Sequence, residues 1–156
     1  MTPFQAFYLY FSLVVLALAW LRGGHTERLG VVVIIVAYLS AHAVSPWRMD
    51  DFRVGEAATD VLVTLAFAWM ALSRERWWPF AATASMVLAL MVHLAMVLSP
   101  DLDGRADVSA RAGLGLLLII SLLAGVAERW LAGETPVSRR SGEHTSELQS
   151  PCNLVC

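Results

Sequence analysis

A 156-residue chain with 58% hydrophobic and 15% charged side chains and a mean hydropathy of +0.63 lies outside the range of soluble domains, which run at about 45–50% and about 25%. Its eleven basic residues are all arginine and its acids number thirteen, for a formal net charge of −2. No basic surface suited to nucleic acid follows from that balance, and no nucleic-acid partner is expected.

The apolar residues come in five blocks, not in stripes spread along the chain, and each block approaches the length that crosses a ~30 Å hydrocarbon core. The expected fold is all-α: a transmembrane helical bundle with spans at 4–21, 29–44, 57–72, 79–98 and 108–131, in one domain over 1–139. Before the first span, Thr2-Pro3 offers a cap followed by proline at the first helical position, and Arg22-Gly23-Gly24 ends it. Ala17-Leu18-Ala19 fits a small-x-small cleavage pattern. No basic residue precedes the apolar run, however, so a retained helix is expected and not a signal peptide.

Thr26 stands where it would cap the second span. That span is rich in valine and isoleucine, residues that favour strands in water. In lipid an unbroken apolar run must satisfy its backbone internally, which makes it a helix. Ser45-Pro46 closes it, and a polar connection over 47–56 leads to the third span, with Asp60 near its start. A tight turn carrying Arg74, Arg76, Trp77 and Trp78 opens the fourth span at Pro79. From 80 to 98 that span holds no ionisable group except His93, and Ser99-Pro100-Asp101 stops it. An acidic connection over 99–107 precedes the fifth span, which carries Arg111 near its start and ends at Glu128-Arg129-Trp130.

Gly113, Gly115, Ser121 and Gly125 form a small-residue set on the fifth span, of the kind that lets helices approach closely in lipid. It predicts a structural or interaction subunit that packs this face against a second copy or another membrane protein. Five spans place the termini on opposite sides. Arg22, Arg28, Arg74, Arg76, Arg129 and Arg139 fall on one side, against Arg48, Arg53, Arg105 and Arg111 on the other. Positive residues mark the cytoplasmic face, so the N-terminus is expected outside and the C-terminus inside. Trp20, Trp69, Trp77, Trp78 and Trp130 at one level and Trp47 at the other are expected as interface anchors in contact with the lipid bilayer.

Four ionisable residues lie in or at the edge of the apolar blocks toward the acidic side: His42, Asp60, His93 and Arg111. Glu56 stands one turn before Asp60 on the same stripe. Charged groups in a bilayer face the bundle interior and pair or serve a function. The cluster therefore reads as structural glue, or as a site for a small proton- or ion-coupled transport component. Remote alternatives are a haem held between His42 and His93, or a divalent metal on histidine and carboxylate. No Ser-His-Asp, HExxH or phosphate-loop pattern occurs, so no enzymatic activity and no cofactor are expected.

Arg140 to Ser150, with Asn153-Leu154-Val155-Cys156, resembles the translation of a short-read sequencing adapter, departing from it at Gly142. Residues 140–156 are accordingly expected to be artefactual, an unstructured appendage that takes no part in the fold. Both cysteines, Cys152 and Cys156, fall there, which removes disulfide and zinc-thiolate chemistry from the body. The body itself, through Arg76-Trp77-Trp78-Pro79 and the closing G-V-A-E-R-W-L-A-G-E, resembles small multi-pass inner-membrane proteins of bacteria with GC-rich genomes. The resemblance implies the location and the bundle, and no activity.

Overall fold

The computed structural model describes residues 3–44, 54–74, 76–99 and 104–133. Five helices follow one another: α1 (Pro3–Arg22), α2 (His25–Val44), α3 (Val54–Ser73), α4 (Trp78–Leu98) and α5 (Gly104–Leu131). All five are long and apolar enough to cross a membrane, and the described residues contain no strand. At ~1.5 Å per residue, the 20-residue helices α1 to α3 each reach about 30 Å. The architecture is an all-α bundle, compatible with an integral membrane protein.

Each helix packs on its sequence neighbours, α5 closes back on α1, and α2 touches α5 across the middle. Side-chain pairs show the up-and-down course. Tyr8 near the start of α1 meets Tyr38 near the end of α2, and Asp60 early in α3 meets His93 late in α4. At the other end, Glu27 at the start of α2 meets Trp78 at the start of α4 and Arg129 at the end of α5. One end is therefore arginine-rich and the other acid-rich.

Much of the bundle's surface is apolar. Leu72, Leu98 and Leu131 are 84%, 72% and 86% exposed, wasteful in water but compatible with a face toward lipid. Inside, Phe67, Met70, Trp78, Ala82 and Leu122 are fully buried.

The helices begin earlier than apolar blocks alone predict. The connection between α1 and α2 is only Gly23-Gly24. The Gly24 carbonyl accepts from the Arg28 amide at 3.0 Å, which makes Gly24, and not Thr26, the N-cap of α2. Glu27, three residues on, accepts the Gly24 amide at 2.7 Å, the return half of a capping box.

Two sequence-based expectations are corrected here. Trp78 does not anchor at the interface. Trp20, Trp69, Trp77 and Trp130 are 48–75% exposed, whereas Trp78 is 0% exposed. Successive helical residues point ~100° apart, so one tryptophan of the pair faces out and the next faces in. Nor is the small-residue face of α5 left for a partner. A β-carbon on Gly125 would stand 2.6 Å from Trp78 Cγ, and one on Gly115 would stand 2.7 Å from the Tyr8 hydroxyl. Ser121 is buried and donates to the Leu118 carbonyl at 2.7 Å. Gly113 alone of the four lies on the surface with open space around it: a β-carbon there would meet nothing within 4 Å. Trp47 and residues 140–156 lie outside the described residues.

Candidate functional site

The acid-rich half of the bundle holds a charged cluster built from three helices. Each member reaches it by its place in the chain. Glu56 and Asp60 sit one turn apart on α3 and so share a face. Asp107 and Arg111 repeat that spacing on α5, which begins at Gly104, a turn earlier than the apolar run suggests. His93 comes down from the far end of α4.

Arg111 is the hub. Its Nη1 donates to Glu56 Oε2 at 2.6 Å and lies 4.0 Å from Asp107 Oδ2, while its Nη2 donates to Asp60 Oδ2 at 3.4 Å. The same Asp60 oxygen meets His93 Nε2 at 2.9 Å. His93 is buried at 6% exposure, and the carboxylates and guanidinium are each less than a fifth exposed. Hydroxyls nearby are spent on the backbone: Thr59 donates to the Gly55 carbonyl and Thr64 to the Asp60 carbonyl. Thr64 thus shares the stripe without joining the cluster's side chains.

Beside the cluster lies a cavity of about 200 Å³ with wall residues from all five helices. Asp60 and Arg111 form its polar patch, Tyr8 and Tyr38 stand along it, and Ile34, Val63 and Ile119 contribute apolar wall. The tyrosine hydroxyls bond one another at 2.7 Å. Below this level the core is filled by Phe67, Met70, Trp78 and Leu122, so the cavity belongs to one half of the bundle only.

Of the residues singled out in the sequence, Glu56, Asp60, His93 and Arg111 meet in one cluster. His42 lies exposed in the last turns of α2 at the same end, and the bonds just described do not include it. Since His93 Nε2 is held by Asp60, that nitrogen is not presented to a haem iron opposite His42. No three His, Cys, Asp or Glu side chains among the described residues gather closely enough to hold a metal ion.

Sequence reasoning missed a second charged group at the arginine-rich end. Glu27 is 0% exposed, with Oε2 accepting the Gly24 amide, Oε1 accepting Trp78 Nε1–H at 3.2 Å, and Arg129 Nη1 standing 3.8 Å away. A signal was present: Gly23-Gly24 followed by Glu27 has capping-box spacing. Its partners are the Gly24 amide before α2, Trp78 on α4 and Arg129 on α5, and the geometry is that of a structural joint. No family model, curated protein or solved structure matches the chain.

Proposed function

We propose that the protein is an integral protein of a bacterial inner membrane that takes up a proton or another cation at the Asp60–His93–Arg111 cluster. Its arginine-rich end faces the cytoplasm, so the cluster and cavity lie in the half toward the outside. The make-up of the site supports this reading. Among the described residues, Glu56, Asp60 and Asp107 set three carboxylates against one guanidinium and one imidazole. Ionisable groups gathered inside a membrane bundle in this way mark proton and ion pathways.

Purified protein in lipid vesicles containing a pH-sensitive dye tests the reading. An imposed potassium diffusion potential should drive a proton signal that Asp60→Asn and His93→Gln both abolish. Wild-type vesicles no different from empty ones, or variants no different from wild type, would refute it.

A second reading, a structural subunit, draws support from the apolar groove between α4 and α5 lined by Leu88, Met91, Gly113 and Leu117, where Gly113 leaves room. Gly113→Cys in a background with Cys152 and Cys156 changed to serine should cross-link to a second copy if that groove is an interface.

A further inference from the structure

We propose that the cavity beside the cluster binds a small apolar ammonium ion, a protonated aryl- or alkylamine. This inference rests on the cation reading above and adds the ligand's chemistry.

Size comes first. An engineered protein cavity of about 150 Å³ holds benzene. The cavity here, about 200 Å³, has space for one ring and a short arm. Its wall is largely aliphatic, with Ile34, Val63, Met86 and Ile119 among the lining residues, which suits the body of such a molecule and not a hydrated ion.

Charge selects the head group. Arg111 is on the wall, but its two terminal nitrogens are already engaged by Glu56, Asp60 and Asp107. An anion would meet a guanidinium already committed to these three carboxylates. An ammonium group would meet Asp60, which shares its Oδ2 between His93 and the longer 3.4 Å contact to Arg111. A bare divalent ion wants six or more oxygens, and a wall of this composition does not supply them. Tyr8 and Tyr38 add two aromatic side chains, whose ring faces attract organic cations. Tyr38 is 43% exposed, so this pair stands at the bundle's surface.

The groups bearing on the ligand's charge are Glu56 and Asp60 from α3, His93 from α4, Asp107 and Arg111 from α5, and the Tyr8 and Tyr38 hydroxyls from α1 and α2.

Isothermal titration of the full-length protein in detergent micelles with benzylammonium chloride, benzyl alcohol and sodium benzoate tests the proposal. Benzylammonium should bind saturably and about tenfold or more tighter than the alcohol, the margin of a charge-assisted hydrogen bond, with benzoate weakest. Ala37→Leu and Ala89→Leu, which fill the cavity and leave every charge in place, should weaken benzylammonium binding by a similar factor. Asp60→Asn should erase the preference over benzyl alcohol; if that variant fails to fold, the two filling variants decide. No binding, equal binding of amine and alcohol, a preference for benzoate, or indifference to both filling variants would each overturn the proposal. Proton signals in amine-free vesicles alongside absent amine binding would remove this inference alone. Amine binding without any proton signal would remove proton uptake and leave the cation site.

Discussion

Trp78 donates its indole N–H to Glu27 Oε1 over 3.2 Å, and both side chains are wholly excluded from solvent. The bond spans 51 residues of sequence and joins the first turns of α2 and α4. Arg129 from the end of α5 stands against the same carboxylate, so one acid holds three helices at the arginine-rich end. Trp78 then fills the space left by Gly30 and Gly125 and meets Phe67 edge-on, with ring centroids 6.1 Å apart.

Removing one partner from that joint should cost more than its bonds are worth. Glu27→Ala takes the acceptor away from the Gly24 amide and the indole N–H, and removes the carboxylate that Arg129 stands against. Breaking a buried charged pair in this way costs about 3–5 kcal/mol. Trp78→Phe deletes one hydrogen bond and some volume and should cost less, while Trp78→Ala should cost about 3–5 kcal/mol through the void it leaves. Thermal unfolding in detergent, followed by circular dichroism, ranks the three.

Glycine substitutions should separate packing sites from lipid-facing ones. A β-carbon on Gly30 would stand 2.6 Å from Trp78 Cη2, and Gly125 is as tight. Gly30→Val and Gly125→Leu should each destabilise by about 1–3 kcal/mol or prevent folding, as overpacking does. Gly113→Ala, with open space around it, should leave the melting temperature unchanged or slightly raised. Equal effects at 113 and 125 would contradict the packing described.

Coupling in the acid-rich cluster is measurable by a double-mutant cycle. Glu56→Gln and Arg111→Gln, singly and together, should show an interaction of about 0.5–3 kcal/mol, as neighbours sharing one network do. Glu27→Gln combined with Arg111→Gln joins opposite ends of the bundle and should be additive within about 0.5 kcal/mol.

Orientation has its own test. Ala132 follows α5 at the arginine-rich end and is exposed. With the two tail cysteines changed to serine, Ala132→Cys in intact cells should resist a membrane-impermeant maleimide and react only after the membrane is opened. Labelling in intact cells would reverse the assigned topology.

Number and kind of helices were legible in the chain because lipid leaves an apolar run little choice of structure. Their ends were less so. α2 begins at His25, not 29, α3 at Val54, not 57, and α5 at Gly104, not 108. Apolar content reports where hydrocarbon contact begins, while a helix starts where its first amides find partners, often a polar turn earlier. That missing turn hid Glu27 and moved Asp107 next to Arg111.

The depth of the ionisable residues could also be counted along the helices, since rise per residue is constant. Depth is one coordinate of three. Whether His93 turned toward Asp60, and whether His42 did, depended on rotation about each helix axis, which packing sets.

By itself the sequence determined a five-helix all-α chain with helices apolar enough to cross a membrane, and the level at which its charged groups lie, because hydrophobic length and rise per residue are local properties. Only the tertiary structure decided that Trp78 turns inward while Trp77 turns out, that the glycines of α5 receive side chains of this same chain, and that Arg111 is shared among three carboxylates beside a cavity. Those outcomes depend on which helix faces which, and at what angle, a matter of shape fitting between surfaces distant in sequence that no single segment encodes.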